Sequence, residues 1–410
     1  MSVGGLNETP RGSRLHIAIL GRRNAGKSSL INALTRQEVA IVSDVPGTTT
    51  DPVYKSMEIL PLGPVVIIDT AGIDDEGELG DLRVKKTTGV LNKADLMVLV
   101  IDPGQEVDRY EIDLIKRAGD NNLPVVGVLN KTDRYPESGA GDLEQKLGIR
   151  LLPVSAVTGR GIEDLKREII RSAPREWAAP AIIGDLISPG DVVVLVVPID
   201  LAAPRGRLIL PQVQTIRDIL DHDAMAMVVK ERELKKALSE LGRRPRMVVT
   251  DSQAFLKVDA DTPRDIMLTS FSILFARYKG NLEALVSGAR VVDDLKPGDR
   301  VLIAEACTHH RVEDDIGTVK IPRWLRLKAG GELHFEWSSG AGLPENLKEY
   351  NLIVHCGACM INRKEMLHRI MRCAEAGVPI VNYGVLIAYV HGILKRALSP
   401  FPSALRLLED

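Results

Sequence analysis

"HIAILGRRNAGKSSLINAL", residues 16–34, decides the fold of the first part of the chain. The apolar His16–Leu20 predicts a buried strand, and Ser28–Leu34 carries the apolar spacing of a helix. Between them, Gly21 to Ser28 fits the phosphate-binding loop pattern G-x-x-x-x-G-K-[ST]. Such glycines let backbone N–H groups and the helix N-terminus face phosphate, with Ala25, Gly26 and Ser29 in the cradle, Lys27 reaching the outer phosphates and Ser28 ligating magnesium. The bland alternative is a glycine turn with an accidental lysine; the strand before it and the helix after it weigh against that.

Working outward, the β-rich runs "VVIID", "LMVLVI", "PVVGVLN" and "RLLPV" alternate with helical patterns such as Tyr110–Ala118. This predicts a doubly wound, mostly parallel sheet up to about Pro174. "PGTTTD" supplies Thr48, Thr49 and Thr50 to a loop over the γ-phosphate, with Thr49 the candidate for both magnesium and catalysis. "DTAG" places Asp69 in the magnesium shell and Gly72 where its N–H meets the γ-phosphate. In "NKTD", Asn130 to Asp133, the Asp133 carboxylate accepts from guanine N1–H and the N2 amino group, while Asn130 and Lys131 belong to the same base site. Adenine lacks that arrangement and would leave a carboxylate unpaired, so GTP is expected over ATP. "SAVTG" adds Ser155 and the N–H of Ala156 for the guanine oxygen.

A lone "NKTD" is more often a polar turn, but five motifs in order resemble the translation-factor-like class of small GTPases. The similarity is greatest to the branch containing the tRNA-modification GTPase MnmE and Era. Many regulatory GTPases place a water-orienting glutamine after the glycine of the third motif; here Ile73 stands there, with no hydrogen-bonding atom. In the MnmE branch an asparagine at the position of Asn24 helps bind potassium, and an acidic residue two positions past the hydrophobic one places the water. The resemblance therefore implies Asn24 for K+ and Asp75 for the water.

The whole chain has 410 residues, which suggests two or three domains. A net charge of −2 and 4% aromatics give no broad basic field or stacking platform, so nucleic acid is not the expected partner. The most apolar run, "DVVVLVVPIDLAA", is interrupted by Pro198 and Asp200, so a cytoplasmic protein with no membrane association is expected. "SAPREWAAPAIIGDLISPGD" fits a linker, followed by a small βαβαβ unit ending near "DADTPRD". A third α/β block begins with the helical "PRDIMLTSFSILFARY". The expected boundaries are 1–175, 176–262 and 263–410. The uninterrupted "VVVLVVPI" must be covered on both faces or pair across a subunit boundary.

The chain's four cysteines are too few for a disulfide framework. Cys356 and Cys359 form a C-x-x-C after the strand-like "NLIVHC", with Gly357 permitting close approach; Cys307 and His309 follow "RVLIAEAC". Two strand ends can converge on one metal if the strands are neighbours, and His355 lies beside Cys356. Cys373, at helical spacing with Met366 and Ile370, reads as core. His310, His334, His368 and His391 show no pattern. Spacing alone leaves a structural zinc site and a four-iron cluster open.

The GTPase motifs, the middle unit and the set Cys307, His309, His355, Cys356, Cys359 together resemble the HydF family, GTPases required to mature the diiron hydrogenase. The resemblance implies a 4Fe-4S cluster on the three cysteines and homodimerisation through the middle domain. It also implies carriage of a transient diiron precursor, built by two radical-SAM maturases, to apo FeFe-hydrogenase. One iron then lacks a cysteine; His309 and His355 are the main candidates beside it, with Glu305 a third because it lies two residues before Cys307. The rivals are an RNA-directed GTPase with a structural zinc module, to which the basic "GRRPRM" would belong if it is more than a solvated helix end, and a regulatory GTPase whose cluster senses redox state.

Overall fold

The computed structural model describes residues 14–35, 53–60, 62–70, 87–135, 140–174, 181–198, 208–306, 315–340, 342–358 and 361–409. The chain divides into two compact units, Met1–Ala178 and Ala179–Asp410.

The first unit is built on a six-stranded sheet. Its strands are β1 (Leu15–Leu20), β2 (Val53–Ile59), β3 (Gly63–Asp69), β4 (Leu96–Ile101), β5 (Val125–Leu129) and β6 (Leu151–Pro153). The order is β2-β3-β1-β4-β5-β6, parallel throughout except for β2, which runs antiparallel to β3. Leu15, Ile17 and Ile19 join one core with Leu30, Ile31 and Leu34 of helix α1 (Lys27–Thr35) and Leu165 and Ile169 of α4 (Ile162–Ser172). Ala18 and Leu20 face the other core, with Leu114 and Ala118 of α2 (Arg109–Asp120) and Leu147 of α3 (Ala140–Leu147). Alternation of side chains across a sheet covered on both faces is why β1 reads as an unbroken apolar run.

The second unit holds two four-stranded, wholly parallel sheets around one continuous core. The first sheet contains β7 (Val192–Val196), β8 (Met225–Val229), β9 (Met247–Thr250) and β10 (Met267–Ser270), ordered β10-β9-β7-β8. The second contains β11 (Arg300–Glu305), β12 (His334–Ser339), β13 (Leu352–His355) and β14 (Ile380–Asn382), ordered β12-β11-β13-β14. Its helices include α5 (Leu210–Asp221), α6 (Leu234–Glu240), α7 (Phe255–Asp261), α8 (Phe271–Lys279), α9 (Leu282–Arg290), α10 (Ile321–Ala329), α11 (Arg363–Ala376) and α12 (Tyr383–Val390). Helix α8 packs against α5 on one side and α11 and α12 on the other, joining the two sheets.

Two expectations change, and one open alternative closes. The stretch read as one helix from Pro263 is a strand followed by a helix: Met267–Ser270 pairs with Met247–Thr250, and the Ser270 hydroxyl accepts the Ile273 N–H to start α8. Sheet pairing overrides the helical pattern there. The second half of the expected linker is core, because Ile182, Ile183 and Ile187 are buried. The apolar β7 is central, flanked by β9 and β8 and fully buried, so its coverage comes from its own domain. The exposed edge belongs to β8, where Met225 and Val228 face solvent. No helix among the described residues is long and apolar enough to cross a membrane.

Candidate nucleotide site and cysteine-loop site

In the six-stranded sheet the chain passes from β3 on one side of β1 to β4 on the other. The loop after β1 therefore opens at a topological switch point, where open α/β sheets bind ligands. That loop is the Gly21–Ser28 motif. Gly26 has φ 91°, and a Cβ there would sit 2.3 Å from Asn130 Nδ2, so only glycine fits. Asn24 is exposed with φ 61°, a left-handed conformation asparagine tolerates. The buried Lys27 Nζ donates to the carbonyls of Gly21 (2.7 Å) and Arg22 (2.9 Å), bracing the loop from within. Ser28 Oγ lies 3.4 Å from Asp69 Oδ2 at the end of β3. Two hard oxygens converging at the loop suit a magnesium ion, which prefers such donors.

The base-recognition loops are tied to this cradle. Asn130, 1% exposed, donates from Nδ2 to the Ala25 carbonyl (2.9 Å) and accepts the Ala156 N–H on Oδ1 (3.1 Å). It is a bridge between three motifs. Ser155 Oγ donates to Asp133 Oδ1 at 2.7 Å, which is the main cause holding the Asp133 carboxyl below its ordinary range. Lys131 Nζ donates to Asp102 Oδ2 at 2.7 Å, just past β4. Motif reading misses Asp102, although its place after the β4 run is a signal. It also misses Arg22, which forms a bidentate pair with Glu111, itself 2% exposed, and a second ion pair with Asp108. Ser29 lies exposed on α1. Thr48, Thr49, Thr50, Gly72, Ile73 and Asp75 lie outside the described residues.

The β12-β11-β13-β14 sheet repeats the geometry. The chain goes from β11 to β12 on one side and then to β13 on the other, so the carboxyl ends of β11 and β13 meet at a switch point. The strands pair in parallel with Ala304 opposite His355, and the cysteine-bearing segments leave from this edge. Cys356 is buried, and its sulfur accepts the Ala306 N–H at 3.2 Å. The left-handed residue of the C-x-x-C is Ala358, with φ 55°, rather than Gly357. His355 is fully buried: Nε2 lies 2.9 Å from Arg369 Nη1 and Nδ1 2.8 Å from the Cys356 carbonyl. Arginine only donates, so Nε2 accepts and Nδ1 carries the proton. In this arrangement His355 braces the Cys356 backbone with both nitrogens engaged.

Glu305 is buried and accepts from Tyr383 OH at 3.2 Å. Burial first, then the charges of Glu305 and Cys356, push the Tyr383 hydroxyl far above the usual tyrosine range, so it stays a neutral donor. Cys373 is fully buried with Met366 and Ile370, and desolvation pushes its thiol up to about 11, which fits the core role expected for it. Among the described residues no three His, Cys, Asp or Glu side chains converge as a metal site. Cys307, His309, His310 and Cys359 lie outside them. What is described suits a thiolate-bound group: a buried sulfur with an N–H donor, at a switch point, beside a second strand end.

Residues 16–131 match the family model described as 50S ribosome-binding GTPase. Residues 182–280 match the Hydrogen maturase F dimerization domain, and 283–400 the Hydrogen maturase F tetramerization domain, which together span over half the chain. The tRNA modification GTPase MnmE of Endomicrobium trichonymphae is 37% identical over 164 residues, 39% of this chain and 35% of that protein. GTPase Der of Mycoplasmopsis pulmonis is 34% identical over 169 residues, 38% of this chain and 39% of that one. The chain thus spans well under half the length of these curated relatives. Among solved structures, Era in complex with MgGDPNP and a 16S ribosomal RNA segment is 21% identical, covering 52% of this chain and 93% of that chain at TM-score 0.34. The G domain of the T. maritima FeoB iron transporter is 26% identical, covering 39% and 99% at TM-score 0.32. The first unit is a GTPase domain for GTP or GDP with Mg2+, and the second carries two oligomerisation domains.

Proposed function

Because the chain belongs to the hydrogen maturase F family, we propose that it is a GTP-hydrolysing scaffold that holds a 4Fe-4S cluster and carries a diiron precursor to apo FeFe-hydrogenase. The observation that carries this reading is the pairing of β11 with β13, whose adjacent carboxyl ends lead into Cys307 and Cys356. Cys307, Cys356 and Cys359 are the proposed thiolate ligands. Bound by three thiolates, the cluster supplies one iron open to an exchangeable ligand. His309 and Glu305 are the proposed neighbours of that position, with His355 fixing the Cys356 backbone as it does here.

In the nucleotide site, Lys27 and the Gly72 amide stabilise phosphate charge, Ser28, Thr49 and Asp69 surround magnesium, Asn24 holds potassium and Asp75 places the water. Asp133, Asn130, Lys131, Ser155 and Ala156 choose guanine. The proposed parts are a GTPase part (1–175), a dimerisation part and a cluster part; the division expected between 176–262 and 263–410 moves to near residue 281, because β10 completes the sheet of β7, β8 and β9 and the family models divide there. A cytoplasmic homodimer serving two radical-SAM maturases and the apo-hydrogenase completes the proposal. An RNA-directed GTPase with a zinc module is not favoured, since the two maturase domains take up the second unit.

The test is anaerobic reconstitution with iron and sulfide, followed by loading and addition to apo-hydrogenase. A brown protein with broad absorption near ~400 nm, followed by hydrogen evolution, is expected. A colourless protein that takes up zinc but no iron would overturn the cluster reading, and a brown protein that never activates hydrogenase would leave the redox-sensing rival.

A further inference from the structure

We propose that Lys279 is a positioning residue for the cysteine loop and supplies a fixed positive charge to the cluster site, an inference that rests on the cluster reading above. Lys279 ends α8 and is 1% exposed. Its Nζ donates to the carbonyls of Ala358 (3.1 Å) and Ile361 (2.9 Å), which flank Cys359 in the chain. These contacts join segments far apart in sequence, with separations of 79 and 82 residues. Burying an ammonium is costly, and a structural tether between a helix end and a loop does not require a full charge. The left-handed turn at Ala358, unusual for a residue with a Cβ, accompanies the presentation of its carbonyl to Nζ.

The contact is reciprocated. Arg363, the first residue of α11, donates from Nη1 back to the carbonyls at the end of α8: Tyr278 (2.8 Å), Gly280 (3.2 Å) and Arg277 (3.3 Å). Helix C-terminal carbonyls lack intrahelical donors and carry partial negative charge, so a guanidinium fits there. Lys279 reaches from the end of α8 to Ala358 and Ile361, and Arg363 from the start of α11 back to the end of α8, so both cations tie the backbone after Cys356 to that helix. Reduction potentials of thiolate-held clusters are set by net charge and hydrogen bonding. A buried positive charge favours the reduced, more negative state and so raises the potential.

The experiment uses the full chain as wild type, Lys279→Met and Lys279→Arg. Amide exchange is followed on the metal-free proteins, and iron content and an EPR-monitored redox titration on the reconstituted ones. Lys279→Met should speed exchange in peptides spanning residues 352–366 and leave those of the GTPase unit unchanged. Its midpoint should fall by about tenfold in the oxidised-to-reduced equilibrium, ~59 mV for one electron, while Lys279→Arg stays near wild type. If Lys279→Met holds no cluster, faster loop exchange together with a loaded Lys279→Arg of wild-type potential supports the proposal. If it does not fold, Arg363→Gln is read instead: a loosened loop supports the clasp and an unchanged one overturns it. A loaded Lys279→Met with wild-type exchange and midpoint overturns this inference alone. Wild-type protein that binds no iron overturns the cluster reading itself, and the charge role with it.

Discussion

The amide of Ala306, one residue past β11, donates to the sulfur of Cys356, one residue past β13, at 3.2 Å. Two segments 50 residues apart thus meet at sulfur. An N–H aimed at sulfur stabilises a thiolate and its metal complexes. Cys356→Ala should abolish iron and sulfide uptake while GTP turnover stays within about twofold of wild type. Cys373→Ala, in the core, should keep its iron and lose about 1 kcal/mol of stability. Iron analysis and thermal unfolding separate the two; equal iron in both variants would remove Cys356 from the site.

The Ser155 hydroxyl keeps the Asp133 carboxyl ionised to lower pH than an ordinary aspartate. The charged form is the one that accepts guanine's two donors, so GDP affinity in the wild type should persist as pH falls and fade only below the usual carboxylate range. Ser155→Ala lets the pKa rise, and its affinity should decline at higher pH than wild type. Fluorescent-GDP titrations from neutral to acidic pH read this directly; coincident acid limbs would show that the hydroxyl does not govern the carboxylate.

Asn130 holds Ala25 and Ala156 through opposite ends of one buried amide. Asn130→Ala leaves both backbone groups without that partner, at a cost of about 1–3 kcal/mol. GDP should bind roughly ten- to a hundredfold more weakly, with unfolding temperature lowered as well. Binding within about threefold of wild type would mean that the loops hold their positions without the bridge.

Asn24 is exposed at a left-handed position of the phosphate loop. If it holds potassium, replacing potassium by sodium should slow GTP turnover about tenfold or more, since a charge stabilising the transition state is worth several kcal/mol. Asn24→Ala should be slow in both salts. Equal wild-type rates in potassium and sodium would remove that role from Asn24.

Much of this was legible because local pattern and tertiary demand agree. β1, the phosphate loop and α1 fall where spacing put them, and the middle unit opens as the expected βαβαβ with β7, α5, β8, α6 and β9 in turn. Where they disagree, pairing wins: Met267–Ser270 looks helical but completes a sheet edge. A shared site for the cysteines demands that β11 and β13 be neighbours, yet their spacing cannot establish it, because strand order depends on crossovers that leave no local trace. The bridge made by Asn130, the occupied nitrogens of His355 and the reach of Lys279 are long-range contacts of ordinary polar residues, and only the fold reveals them.

Two helix glycines give opposite forecasts for one substitution. A Cβ on Gly288 of α9 would sit 2.0 Å from the Ile380 carbonyl oxygen of β14, a backbone atom that cannot rotate away. Alanine normally stabilises a helix interior by about 0.5–1 kcal/mol over glycine, but overpacking costs about 1–3 kcal/mol, so the clash wins. Gly119 of α2 has nothing within 4 Å of its added Cβ, and there the helix preference acts unopposed. Gly288→Ala should lower the second unit's unfolding temperature and speed amide exchange at α9 and β14, whereas Gly119→Ala should leave the first unit slightly more stable. A Gly288→Ala protein as stable as wild type would mean that α9 can lift from β14 freely, and that the close approach is incidental to holding the cysteine-bearing sheet.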